Sequence, residues 1–156
     1  SIYKKKYKIG LSWKSFSDKF ATDKSLNLKD LNKIFSLTNC DIFNLQYGVI
    51  EDEIKSFNNT AKNKLLSIEG LDLINDFEGI ASLLKSLDVF ISVSNSTAHL
   101  AGALGVKTVL IKPANFAVFH YWNQKTDNTP WYPSVRLIDK KKFLNNSKFL
   151  KNILGI

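Results

Sequence analysis

The stretch DFEGIASLLKSLDVFISVSNSTAHLAGALGVKTVLIKP, residues 76–113, decides the fold. Phe77, Ile80, Ala81, Leu84 and Leu87 recur at helical spacing, which gives one apolar helix face. Asn75, with Glu78 three positions on, supplies a capping pattern for the start of that helix. After Asp88 the run Val89, Phe90, Ile91, Ser92, Val93 is almost continuously apolar. A strand covered on both faces of a parallel sheet has that character. Four short polar residues follow, Ser94, Asn95, Ser96 and Thr97, all suited to capping a helix N-terminus. The next helix runs from Ala98 to Leu104 and stops at Gly105. Residues 107–111 then form another buried strand, which Pro113 ends.

The flanking sequence continues the alternation. Residues 8–13 form a first strand and lead into a polar loop, 14–25. Asn27 caps a helix with Asp30 at its third position, and Leu28, Leu31, Ile34 and Phe35 share its buried face. Residues 41–46 and 65–68 are further strands, with a short helix at 51–57 between them. Beyond an aromatic loop, residues 135–138 form an edge strand and 147–153 a terminal helix. This order predicts a single α/β domain, a Rossmann-like parallel sheet with helices on both faces.

Composition agrees and removes several classes. The chain has 156 residues, 44% of them hydrophobic and 23% charged, a balance that suits one domain with its own core. No apolar run reaches the roughly 20 residues of a membrane-spanning helix, so no integral membrane segment is expected. Lys4, Lys5 and Lys6 precede only a short apolar strand, unlike a secretory leader. Cys40 is the single cysteine, which rules out an intrachain disulfide and makes the cytoplasm the expected compartment. The first residue is Ser1 and methionine is absent, so the chain is expected to be a piece of a longer protein. The net charge of +8 comes from lysines spread along the sequence, which favours a solvated surface over a nucleic-acid footprint.

In open α/β sheets, ligands bind beyond the carboxyl ends of the strands, where helix N-termini point. Ser94, Asn95, Ser96 and Thr97 leave such a strand and open a small-residue helix. A plain N-cap needs only one of these residues; four in a row, with free N–H groups, the positive dipole end and no carboxylate, favour an anion site over a cap alone. His99 lies in its first turn, where a lone histidine is either a packed or capping residue or a donor to a phosphate or sugar oxygen. Lys14, after the first strand, is a second point of positive charge. Phe116, Phe119, Tyr121, Trp122, Trp131 and Tyr132 form either a flap packed on the sheet or a stacking surface. His99 and His120 are far apart in sequence and no carboxylate cluster accompanies them, so no metal is expected. Neither a GxGxxG, a Walker nor a GxSxG pattern occurs, so nicotinamide cofactors, ATP hydrolysis and a serine hydrolase lack motif support.

Residues 76–113 resemble the core signature of the heptosyltransferase-like enzymes, glycosyltransferase family 9, and most closely the relatives fused to tetratricopeptide repeats. NTPWYPSVRLI at 128–138 is similar to the Pro-Trp-Tyr-Pro segment of those relatives, and KIGLSWKS and IFNLQYG to their first two strands. The resemblance implies the C-terminal, donor-binding half of a two-domain GT-B fold, acting by inversion without a metal or other cofactor. It implies that Ser94, Asn95, Ser96, Thr97 and His99 line the diphosphate and sugar of a nucleotide-sugar donor. Lys14 and Gln46 would approach from neighbouring strand ends, and Asp76 or Phe77 would meet the nucleoside. Family members commonly carry Asp-Thr where this chain has Ser94-Asn95. An N-terminal half would supply the contacts to an acceptor sugar or protein and the catalytic base, so no catalytic residue is assigned here. Alternatives on the same fold are a nucleotide-sugar 2-epimerase-like enzyme and a non-catalytic module that binds a partner or a polyanion.

Overall fold

The computed structural model describes residues 5–16, 24–113, 120–122 and 125–156. Phe116, Phe119, Lys4 and much of the loop at 14–25 lie outside the described residues. In chain order the elements are β1 (Tyr7–Ser12), α1 (Leu28–Phe35), β2 (Cys40–Asn44), α2 (Glu51–Thr60), β3 (Leu65–Leu66), α3 (Phe77–Ser86), β4 (Val89–Val93), α4 (Ser96–Ala103), β5 (Thr108–Lys112), β6 (Val135–Asp139), α5 (Lys140–Asn145) and α6 (Phe149–Leu154).

Six strands form one sheet in the order β3-β2-β1-β4-β5-β6, and every pairing is parallel. Chain order reverses between β1 and β4, which hydrogen-bond in the register Ile9↔Val89 to Ser12↔Ser92. That is the switch point of a doubly wound sheet, where the loops leaving the two strands diverge and open a crevice. All five residues of β4 are buried, as its unbroken apolar run requires. On one face Ile9, Leu11, Ile91, Val93, Val109 and Ile111 pack against α1, α2, α5 and α6. On the other, Leu45 and Phe90 meet Ile80, Leu84 and Ala101 of α3 and α4. Further along that face, Leu110, Val135 and Leu137 pack on Trp122.

Several expected boundaries move. The α3 cap is Asp76, whose side chain accepts from the Gly79 N–H at 2.8 Å. Asn75 instead donates its side-chain amide to Asp72. Phe77 belongs to the apolar stripe of α3 by spacing, yet is 65% exposed. It sits in the first turn, at the carboxyl rim of the sheet, where it lines a cavity and not the core. The strand expected at 65–68 pairs with β2 only through Leu65 and Leu66. Helix α4 begins at Ser96, two residues before the expected start, because Asn95 is its cap. Helix α5 was not foreseen, since Phe143 is its one buried side chain and the lysines around it carry no periodic signal.

Candidate functional site

The carboxyl ends of β2, β1 and β4 are sewn together by side-chain amides and hydroxyls. Gln46 Oε1 accepts from Ser12 Oγ at 3.0 Å, Trp13 N at 2.9 Å and Lys14 N at 2.7 Å. Its Nε2 donates to the Tyr47 carbonyl. Gln46 is 1% exposed; its amide oxygen holds the β1 loop and its amide nitrogen the turn that follows β2. From the other side, Asn95 Nδ2 donates to Ser12 Oγ at 2.7 Å and more weakly to the Lys14 carbonyl at 3.4 Å. Asn95 Oδ1 accepts from the Ala98 N–H at 3.1 Å, which caps α4. One amide therefore caps a helix and bridges the switch point.

The other expected site residues divide into two groups. Ser94 is buried and its hydroxyl accepts from Trp122 Nε1 at 3.1 Å. Lys14 Nζ pairs with Glu53 of α2, and Glu53 Oε1 also accepts from Trp13 Nε1 at 2.9 Å. Asp76 is occupied as the α3 cap. Ser96, Thr97 and Phe77, by contrast, line a cavity of about 260 Å³ together with Tyr47, Leu73, Ile74, Ile80 and Leu100. This cavity lies between the N-termini of α3 and α4. Helix geometry leaves the first N–H groups of α4, those of Ser96 and Thr97, without an acceptor in the helix itself. No acidic residue stands in the first turn of α4. An apolar slot beside open N–H donors suits a ligand with one flat apolar end and one anionic end.

His99, also in the first turn of α4, packs among rings. Its Nδ1 lies 3.0 Å from the Tyr132 hydroxyl, and its ring centroid is 4.7 Å from that of Trp122 and 5.0 Å from that of Tyr121. Burial lowers its proton affinity below the ordinary value of 6.5, so the ring is neutral at physiological pH. The described part of the aromatic segment divides in two. Trp122 is 1% exposed and packs on the sheet, while Trp131 remains 55% exposed at the rim. Cys40 is buried away from this site, and burial pushes its thiol up to about 11, which makes it a poor nucleophile. Among the described residues no group of three His, Cys, Asp or Glu side chains is arranged to hold a metal ion. Among the same residues no helix is long and apolar enough to cross a membrane.

Sequence motifs missed Glu53, Trp122 and Tyr132 around the site and the cavity walls Tyr47, Leu73, Ile74, Ile80 and Leu100. Trp122 and Tyr132 carried a signal as members of the aromatic segment, Tyr47 as part of IFNLQYG and Ile80 as part of the α3 stripe; Glu53 carried none.

Comparison with known proteins extends the description of the fold. No protein-family model matches the chain. It is similar to Protein FlbA of Caulobacter vibrioides, 32% identical over 133 residues, which cover 83% of this chain and 21% of that protein. The chain therefore spans about a fifth of the length of this relative. Among solved structures it is similar to the glycosyl transferase family 9 protein of Veillonella parvula. The TM-score is 0.60 at 11% identity, over 94% of this chain and 38% of that one. The chain has the Rossmann-like fold of that glycosyltransferase. At 11% identity the likeness carries the fold and nothing finer.

Proposed function

We propose that this chain is the donor-binding domain of an inverting, metal-independent glycosyltransferase, and that it holds a nucleotide diphosphate sugar at the β1/β4 switch point. One observation carries the reading. The 260 Å³ cavity, walled by Tyr47, Ile74, Phe77 and Leu100, runs up to Ser96 and Thr97 at the open N-terminus of α4. The apolar walls fit a nucleobase and ribose. The N–H groups and dipole of α4 fit the diphosphate. His99, uncharged and one turn along α4, fits a hydrogen bond to the diphosphate or the sugar. In such a reaction these groups stabilise the departing diphosphate while a base from another part of the protein deprotonates the acceptor hydroxyl. A longer parent protein that supplies this base and the acceptor contacts is part of the proposal, as is its place in the cytoplasm.

A second reading has its own observation. Lys14, Gln46 and Asn95 all spend their polar groups inside the protein, and the net charge of +8 attracts polyanions without any formed site. That reading makes the chain a non-catalytic interaction module. Calorimetric titration with ADP, UDP, GDP and CDP at two salt concentrations separates the two. Saturable binding that prefers one nucleotide supports the donor site and names the leaving group. Equal binding to all four that vanishes at the higher salt concentration defeats it.

A further inference from the structure

His99 and Gly102 are three residues apart on α4 and so share one face of the helix. The ring of Tyr132 lies on that face. A Cβ built on Gly102 would stand 2.5 Å from Tyr132 Cγ and 2.8 and 2.9 Å from its two Cδ atoms. No real Cβ tolerates such contacts, so the absence of a side chain at 102 is what lets the ring lie flat on the helix. Tyr132 is held in place from its own segment. Its carbonyl accepts from Val135 N at the start of β6, and Thr129, bonded to the Tyr121 carbonyl and to Trp131 N, ties the two aromatic turns together. The result puts the Tyr132 hydroxyl 3.0 Å from His99 Nδ1.

The direction of that hydrogen bond follows from the relative donor and acceptor strengths of the two groups. Among the described residues the Tyr132 hydroxyl has no hydrogen-bond partner besides His99, and His99 Nε2 has none. If Nδ1 carried the proton, the half-buried phenol would accept and its own hydrogen would have no protein acceptor. In the other arrangement Nε2–H is the hydrogen without a protein acceptor, so donor and acceptor strength decide. A phenol O–H is a stronger donor than a neutral imidazole N–H, and an unprotonated imidazole nitrogen a stronger acceptor than a phenol oxygen. The phenol therefore donates and the imidazole proton sits on Nε2. We propose that Tyr132 is a positioning residue that fixes the tautomer of His99, holding its proton on Nε2 as a hydrogen-bond donor to the bound diphosphate or sugar. The inference about the ligand rests on the donor-site reading; the inference about the tautomer does not.

The groups around the imidazole favour this assignment. Tyr121 and Tyr132 are the titratable side chains in contact with it, with His120 one ring further out against Tyr121 at 3.9 Å. Among the described residues no carboxylate or cation bonds His99 that would hold it as an imidazolium. A hydrogen bond given to Nδ1 stabilises the neutral ring, so its loss raises the proton affinity of His99 and lets the two tautomers mix.

Two-bond proton–nitrogen correlation spectra of the histidine-labelled chain report which ring nitrogen is protonated, and a His120→Gln variant assigns the signals. The expected result is an Nε2–H tautomer for His99 in the wild type. Tyr132→Phe, which keeps the ring, should give a tautomer mixture, a higher His99 pKa and an unchanged melting temperature. Gly102→Ala, which evicts the ring, should reproduce the mixture. Affinity for the preferred nucleoside diphosphate should fall roughly tenfold in Tyr132→Phe, the scale of one lost hydrogen bond to a charged ligand. An unchanged tautomer in Tyr132→Phe, with nucleotide binding intact, overturns the positioning role. A wild-type chain that shows the tautomer change on substitution but binds none of the four nucleotides overturns the donor site and leaves Tyr132 as assigned.

Discussion

Ser96 is the first residue of α4, and its side chain is exposed on the cavity where its neighbours Ser94 and Asn95 are committed to the protein. The contrast makes it the best single probe of the site. An aspartate at this position suits the helix dipole and leaves the fold as stable as before. The same carboxylate would face the diphosphate directly. Ser96→Asp should therefore weaken nucleotide binding by about tenfold or more with no loss of melting temperature. Calorimetry beside thermal unfolding checks it, and unaltered affinity in a folded variant would remove Ser96 from the site. Asn95 predicts the opposite pairing of effects. Asn95→Ala loses the α4 cap and the bond to Ser12 together, and should cost about 2–3 kcal/mol in urea unfolding. In sequence the four residues 94–97 look equivalent, because each has a short polar side chain able to cap or to bind. Only the sheet order tells them apart. It brings Ser12 beneath Asn95 and Trp122 against Ser94, contacts across 83 and 28 residues that no local pattern encodes.

At the scale of elements, α2 holds the β1 loop through one carboxylate. Glu53 accepts from the indole of Trp13, a residue with no exposed surface, and pairs with Lys14. The two interactions differ in worth. A buried indole N–H left without an acceptor costs about 1–3 kcal/mol, whereas a partly exposed ion pair contributes about 1 kcal/mol or less. Glu53→Ala should lose the larger amount, while Glu53→Gln, which keeps an acceptor, should lose little. Equal losses in denaturant unfolding would mean that the ion pair, not the indole bond, holds the loop. Helices α1 and α3 were legible because each carries a periodic apolar face, and α4 because a run of short polar capping residues precedes it and Gly105 ends it. Glu53 was not, since its partners come from the loop after β1, about 40 residues away in sequence. Strand β3 was legible only as a position; its two-residue length reflects how little of β2 it meets at the sheet edge.

For the whole molecule, the parallel α/β architecture was the most legible feature, because alternating strands and helices joined by right-handed crossovers close into such a sheet; the order of its strands came from the structure. Its response to acid follows largely from two groups that tie the sheet to its surroundings. Asp88, at the start of β4, feels burial, which would raise its pKa. Hydrogen bonds from Lys5 Nζ at 2.7 Å and Lys8 N at 2.8 Å, with the charges of both lysines, outweigh this and hold it below 3.8. Its contribution to stability is complete above 3.8 and is lost as the pH falls through the lower folded value. His99 is displaced in the same direction, by burial, from 6.5. As the pH falls through 6.5 the unfolded chain takes up the proton that the folded chain refuses, so stability declines from there downward and not on the alkaline side. Urea midpoints measured from about pH 8 to about pH 3 should show a plateau, a first decline beginning near 6.5 and a second below 3.8. His99→Gln should flatten the first decline and Asp88→Asn should reduce the second, of which Asp72, held low by hydrogen bonds from the Asn75 side chain and the Ile74 and Asn75 N–H groups, keeps a share. Each is judged by slope so that the static cost of the substitution cancels. A first decline that persists unchanged in His99→Gln would mean that the imidazole is solvated in the folded protein, and that the ring of aromatics around it does not exclude water.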